Sequence, residues 1–323
     1  MRIAVVGAGA WGTALAQVWA VAGNEVTLIA RDEQAWAQLN VTRRAPRLPG
    51  VLLHDGMTFA VGPEKVAGHA LVAFVVPAQT FPDVAMSARQ CMDEGATALL
   101  CAKGIDASSG RSVAQSAALA LPDHDRAVLS GPSFAHDVAR GRPTAVTLAG
   151  QTMDAAVALS EDLSTPALRL YASDDIEGVE AGGALKNVMA LAVGAARGLD
   201  LGASAEAALI ARGFAEMVPL AVAMGGRRET LAGLSGLGDL VLTCGSPQSR
   251  NFAYGEAMAR RKDLADRPLA EGVYTARAAL DLARRHGLDT PIIAAVCAVL
   301  EERMSVGDAV ASLLARPLKT EIS

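Results

Sequence analysis

The sequence predicts an α/β chain in which a doubly wound, mostly parallel sheet is followed by a second, all-helical domain. Three observations carry that expectation. Short apolar runs alternate with helix-patterned segments through the first half of the chain. A glycine cluster lies between the first run and the first helix. Beyond about residue 175 the runs give way to long Ala/Leu/Met-rich segments of helical spacing. With 323 residues the chain can bury two cores of ordinary size. The expected division is 1–175 and 176–323.

RIAVV (2–6) reads as the first strand, Gly7-Ala8-Gly9-Ala10-Trp11-Gly12 as a turn, and TALAQVWAVAG as a helix ending at Gly23. EVTLIA (25–30) is the next strand. A bare GxGxxG says little. Set between a strand and a helix at the head of a βαβ unit, it predicts a dinucleotide site on a Rossmann-like domain. LVAFVVP (71–77), ATALLC (96–101) and RAVLS (126–130) are continuous apolar runs, as in parallel strands buried on both faces. TAVTLAG (144–150) and ALRLYAS (167–173) read as further strands. SAEAALIARGFAEMVPLAVAMG (204–225) and TARAALDLARRHG (275–287) are helices. No Pro/Gly/Ser-rich linker separates the halves, so they are expected to pack closely around a cleft. No internal repeat or low-complexity segment is visible.

A net charge of −5 gives no basic footprint for nucleic acid. No stretch reaches the roughly 20 apolar residues of a membrane span. MRIAVVG reads as a strand, not a secretion signal, so the cytoplasm is the expected compartment. Cys91, Cys101, Cys244 and Cys297 are scattered, and no Cys/His spacing suggests a metal or a disulfide framework. No metal is expected.

An acidic residue after the second strand favours NAD, and an arginine there favours NADP. Here Ala30 is followed by Arg31 and then Asp32. Arg31 is the better placed, so NADP(H) is favoured. NAD(H) is the alternative, with Asp32 at the ribose and Arg31 stacked on adenine.

Four stretches suggest chemistry. In CAKGID (101–106), Lys103 follows a buried strand at the end where α/β sheets place ligands, or is a plain loop lysine. SGPSFA (130–135) offers backbone N–H groups and Ser133 to a polar substrate, or is a proline turn. In VEAGGALKN (179–187), Gly182 and Gly183 share a helix face with Lys186. Two glycines cost that helix roughly 1–2 kcal/mol relative to alanine, and a lysine that only snorkels would not need them. Lysine is also the rarer choice in this chain, at 5 of the 29 basic residues. It offers an amine whose pKa falls on burial, which arginine does not. In GLGDLVLTCGSPQSRN (236–251), Asp239 lies in a glycine-rich break with Thr243 one turn on, and Ser249-Arg250-Asn251 opens a helix. Free N–H groups, a serine cap and an arginine fork suit a phosphate, although an ordinary capped helix with a solvated arginine fits the same letters.

GAGAWGTALA, Lys103-Gly104, SGPSFA, GGALKN and GLGDLVLTC…QSRN, in that order over essentially the whole chain, closely resemble bacterial-type NAD(P)-dependent glycerol-3-phosphate dehydrogenases. Ala10 stands where that family usually has Ser, which removes one side-chain contact to the cofactor. The resemblance implies hydride transfer between NAD(P)H and dihydroxyacetone phosphate, giving sn-glycerol 3-phosphate for phospholipid synthesis, in a homodimer. It implies that Gly7, Gly9, Ala10, Trp11, Gly12, Arg31, Lys103, Ala135, Arg250, Leu269 and Glu271 contact the cofactor. Lys103, Gly131, Ser133, Lys186, Asp239, Ser249, Arg250 and Asn251 are implied substrate contacts, with Lys186 the proton donor and acceptor. A neighbouring ammonium and partial burial should lower the pKa of Lys186 towards neutrality. The competing readings are a related two-domain NADP-dependent keto-acid or imine reductase, and a dinucleotide sensor without catalysis.

Overall fold

The computed structural model describes residues 1–264 and 270–317. In chain order the first half reads β1 (Arg2–Val6), α1 (Ala10–Val21), β2 (Glu25–Ala30), α2 (Glu33–Thr42), β3 (Thr58–Val61), β4 (Leu71–Phe74), α3 (Phe81–Arg89), β5 (Thr97–Leu100), α4 (Val113–Ala120), β6 (Arg126–Ser130), α5 (Ala135–Ala139), β7 (Thr144–Gly150), α6 (Met153–Leu163) and β8 (Leu168–Ser173). The second half reads α7 (Ile176–Gly198), α8 (Ala203–Ala223), α9 (Arg228–Leu231), a π-helical turn (Leu234–Gly238), α10 (Asp239–Cys244), α11 (Arg250–Ala259), α12 (Glu271–Arg285), α13 (Pro291–Leu300) and α14 (Val306–Leu314).

The eight strands form one sheet in the order β3-β2-β1-β4-β5-β6-β7-β8. All neighbours are parallel except β6 and β7, which run antiparallel. The first six positions follow the doubly wound order, with its switch point between β1 and β4. Two-residue alternation sorts the side chains. Ile3, Val5 and Leu28 join the core under α1, while Ala4, Phe74 and Leu100 join the core under α3 and α4. Trp19 of α1 is fully buried, and its indole N–H donates to Leu163 O at 3.1 Å. Truncating it to alanine would cost about 3–5 kcal/mol.

The helical half is built around α7, whose Leu185, Val188, Met189 and Leu191 join Met217, Leu240, Phe252, Leu280 and Ile293 in a separate core. Gly194 of α7 and Gly255 of α11 face the opposite backbone. A Cβ would lie 2.0 Å from Phe252 O at the first and 2.1 Å from Leu191 O at the second. The two helices therefore touch main chain to main chain, which fixes the start of α11 relative to α7.

Candidate active site

The strand ends and the helical half meet over one edge of the sheet. After β1, Gly7 holds a φ of +115°, and a Cβ there would strike Val75 O at 2.5 Å. A Cβ on Gly12 would lie 2.0 Å from Gly7 O, so the turn closes only without side chains. Gly9 meets nothing within 4 Å and caps α1 with no side-chain hydrogen bond. Bare N–H groups at a helix start, with open space in front of them, form a cradle for a pyrophosphate. Ala10 and Trp11 open α1 and pack on the same core as Ala135, the first residue of α5. The Trp11 indole N–H is buried without a partner among the described residues. Arg31 follows β2 with its side chain 89% exposed, paired to Asp32 at 3.0 Å. The Asp32 carboxylate is spent locally, because its other oxygen caps α2 by accepting from Ala35 N at 2.9 Å.

Across the sheet the chemistry gathers on one carboxylate. Lys103, just past β5, reaches Asp239 Oδ2 at 2.8 Å and Gly131 O at 3.3 Å. Lys186 of α7 reaches Asp239 Oδ1 at 2.5 Å and Thr243 Oγ1 at 2.7 Å. Ser133 Oγ donates to the same Gly131 carbonyl at 3.0 Å. Gly131 must be glycine: its φ is +148°, and a Cβ would press on Val146 Cα at 2.8 Å. Lys186 and Asp239 are 6% and 1% exposed, so this charge cluster is desolvated. Burial pushes Lys186 down to about 8; Asp239 opposes that push and Lys103 reinforces it. Burial alone would raise Asp239, but the two ammoniums hold it below its ordinary value. An ammonium has three donors. Each lysine uses two of them among the described residues, which leaves one N–H apiece for a ligand.

The glycines beside Lys186 serve close approach. A Cβ on Gly182 would meet Ser235 O at 2.5 Å, and one on Gly183 would meet Ser130 Oγ at 2.5 Å and Lys103 Cδ at 3.5 Å. The first admits the π-helical turn that leads into Asp239. The second admits the ends of β5 and β6. Irregular helical turns of this kind concentrate at functional sites.

Ser249, Arg250 and Asn251 start α11. Ser249 is the cap, accepting from Phe252 N at 3.3 Å. Asn251 joins Asn187 at 2.9 Å and receives Gly272 N at 2.8 Å, tying α7, α11 and α12 together. Arg250 is exposed and makes no ion pair with another described residue. Burial raises the Glu271 carboxyl above its ordinary value, and the Arg250 charge opposes that rise. Glu271 Oε2 is buried without a hydrogen-bond partner among the described residues and lies 3.4 Å from where a Gly104 Cβ would sit. Leu269 lies outside the described residues.

Two residues of the cluster attracted little or no notice in the sequence. Thr243 follows Asp239 by four positions on α10, a spacing that put both on one face. Ser130, buried over Gly183 and without a hydrogen-bond partner among the described residues, carries no sequence signal.

Two family models match the chain: the N-terminal part of NAD-dependent glycerol-3-phosphate dehydrogenase over residues 2–156, and its C-terminal part over 175–311. The chain belongs to the NAD-dependent glycerol-3-phosphate dehydrogenase family. A glycerol-3-phosphate dehydrogenase [NAD(P)+] of Brucella canis is 50% identical over 322 residues, covering 99% of both chains. The enzyme of the same name from a Bradyrhizobium species is 49% identical over 319 residues, covering 99% of this chain and 98% of its own. The crystal structure of glycerol-3-phosphate dehydrogenase from Coxiella burnetii superposes with a TM-score of 0.92 at 36% identity, covering 98% of this chain and 99% of that one. A ketopantoate reductase from Ralstonia eutropha reaches a TM-score of 0.62 at 18% identity, a likeness of fold alone.

Membership of this family agrees with the fold read from the sequence: a Rossmann-like sheet followed by a helical domain. Among the described residues no helix is long and apolar enough to cross a membrane.

Proposed function

We propose that the chain interconverts dihydroxyacetone phosphate and sn-glycerol 3-phosphate as an NAD(P)-dependent glycerol-3-phosphate dehydrogenase. The observation that carries this reading is the buried Asp239 carboxylate shared by Lys103 and Lys186 at the end of the sheet that bears the glycine cradle. The cradle fits a dinucleotide: Gly9 leaves space for a pyrophosphate, while Trp11 Nε1 and Glu271 Oε2 are buried polar atoms awaiting partners. Gly7, Ala10 and Gly12 shape the pyrophosphate turn, and Ala135 and Glu271 flank the cofactor. When bound, the nicotinamide supplies or accepts the hydride.

The protein's own part is proton transfer and charge stabilisation. Lys186 donates to the carbonyl oxygen as it becomes an alkoxide, and in the reverse direction it takes the hydroxyl proton. Lys103 adds its remaining N–H to the same oxygen. Asp239 aims both ammoniums and keeps Lys186 charged against burial. Arg250, with the Ser249 cap and the first turn of α11, anchors the phosphate. Gly131, Ser133 and Asn251 line the path between the phosphate and the reacting carbon. The charge-suited start of α11 favours this reading over a keto-acid or imine reductase of the same fold.

NADP(H) is the favoured cofactor and NAD(H) the alternative. With Asp32 engaged in its cap and with Arg31, the exposed Arg31 guanidinium is the group left for a ribose phosphate. A homodimer is supported by apolar side chains on the helical surface, Val222, Leu237 and Val241, each more than a third exposed. A cytoplasmic enzyme supplying glycerol 3-phosphate to phospholipid synthesis completes the proposal. The test is a spectrophotometric assay with both cofactors and with dihydroxyacetone beside its phosphate. Oxidation of NADPH that requires the phosphorylated ketone supports the reading, and no turnover with that ketone refutes it. A tenfold preference for NADH that persists in Arg31→Ala refutes the cofactor assignment.

A further inference from the structure

Glu180 lies six residues before Lys186 on α7, about 9 Å along the helix. It is 4% exposed and makes no ion pair among the described residues. Its carboxylate crosses to the nucleotide sheet's helical layer and accepts Ala114 N at 2.7 Å, with the Val113 N–H and Ser112 near enough to favour its charge. These groups are the start of α4, which ends the loop that begins at Lys103. The loop is closed on itself. Ile105 bridges Ser112, and Asp106 N donates to Arg111 O at 2.8 Å. Asp106 gathers Ser108 and Ser109 at 2.7 and 2.6 Å, while Gln79 holds Ile105 O and Ala107 N, both at 2.9 Å. Lys103 and the start of α4 therefore sit at the two ends of one rigid loop.

We infer that Glu180 is a positioning residue: by gripping the start of α4 from the Lys186 helix, it sets the spacing at which Lys103 and Lys186 share Asp239. Burying a carboxylate is expensive unless donors repay it. Burial pushes Glu180 up to about 7, Glu177 raises it further, and its Ser112, Ala114 and Val113 donors oppose that. Arg126 and Asp174 line the same 360 Å³ cavity. In its charged form Glu180 holds the α4 N–H by a charge-assisted bond, stronger than a neutral side chain would make.

The inference rests on the proposed reaction, and its test separates the two. In Glu180→Gln, kcat for ketone reduction should fall about tenfold, the scale on which a slightly misplaced catalytic group acts. NADPH affinity, measured by fluorescence titration, should hold. The cofactor-free protein gives a second readout, the pH dependence of Lys186 acylation followed by mass spectrometry. Loosening the loop moves Lys103 away, removes a like charge, and should raise the Lys186 midpoint above that of the wild type. Val113→Pro approaches from the other side. Ser112 is already extended (φ −71°, ψ 166°), so proline is tolerated at the first helical position while the Val113 N–H that favours the Glu180 charge is removed. The midpoint should again rise, by less. A lower Tm with kcat and the Lys186 midpoint unchanged would make Glu180 a helix cap only and overturn the inference, as would an unmoved midpoint in folded Val113→Pro. If the wild type does not reduce the phosphorylated ketone, the proposed reaction fails and the acylation midpoints still decide the role of Glu180.

Discussion

Gly182→Ala tests the link between helix packing and catalysis most directly. The new Cβ would sit 2.5 Å from Ser235 O, 2.9 Å from Ser235 C and 3.0 Å from Gly236 Cα. All three are backbone atoms, so no rotamer change relieves the clash. Moving from 2.5 Å to the 3.4 Å at which contact becomes ordinary displaces the π-helical turn by about 0.9 Å. That turn runs straight into Asp239, whose bond to Lys186 is only 2.5 Å long. A displacement near 1 Å at a catalytic group costs on the order of 100-fold in rate. Alanine also favours the helix by about 1 kcal/mol over glycine, which offsets part of the strain. The expected result is a kcat for ketone reduction lower by one to two orders of magnitude, with Tm and NADPH affinity changed little. Thermal melts, fluorescence titration and steady-state rates on one preparation would show it. Wild-type kcat in a folded Gly182→Ala chain would refute the claim that this glycine exists to admit the turn.

Other consequences follow from the same geometry. On the proposed mechanism ketone reduction needs Lys186 protonated, so at saturating cofactor its rate should fall as pH rises through about 8, while alcohol oxidation rises through the same midpoint. Lys186→Ala should lower turnover by orders of magnitude and leave cofactor binding intact in fluorescence titrations. Arg250→Ala should raise KM for dihydroxyacetone phosphate by about 10- to 100-fold, the worth of one or two charged hydrogen bonds, with a smaller change in kcat. Glu216 is buried, accepts Ile292 N and Ile293 N at 2.8 and 3.1 Å, and is pushed up to about 7 from 4.5. A raised folded-state pKa means that the native chain binds the extra proton between those values, so its contribution to stability is full below 4.5 and lost as pH rises through 7. Melting temperatures between pH 5 and 7 should slope down in the wild type and flatten in Glu216→Gln.

The sheet was legible in the sequence wherever strands are buried on both faces. RIAVV, EVTLIA and RAVLS needed no context, because continuous apolar runs of that length have few other uses. Thr58–Val61 escaped, being a four-residue edge strand with one fully buried side chain, too short to show a period. The reversal of β7 against β6 was also hidden. TAVTLAG reads the same in either direction, and only the connection through α5 decides it. In the site, the lysines and Asp239 were singled out by their chemistry, but not the fact that they share one carboxylate. Lys103 and Asp239 are 136 positions apart, and no local pattern encodes their 2.8 Å contact. Glu180 was invisible for a related reason. A glutamate in an Ala/Gly-rich helix looks solvated until a second helix is seen to start against it.

The pKa near 8 at Lys186 comes from opposed influences, and that opposition explains why lysine is used in a chain rich in arginine. Burial disfavours the ammonium, Lys103 disfavours it further, and Asp239 restores it. An arginine would stay charged under all three influences and could not return a proton to solvent near neutrality. A lysine without Asp239 would lose its proton too readily to serve as an acid. Two ammoniums on one carboxylate also leave a surplus of one positive charge, each lysine keeping a free N–H. That surplus is what a carbonyl oxygen lacks while it becomes an alkoxide, and it stands in place before the substrate arrives, so no solvent must reorganise during the transfer. On the proposed mechanism, the two glycines of GGALKN are part of the catalytic apparatus as much as the amine is. Without them, neither the carboxylate's turn nor the second lysine's strand could come close enough to the helix to create the opposition.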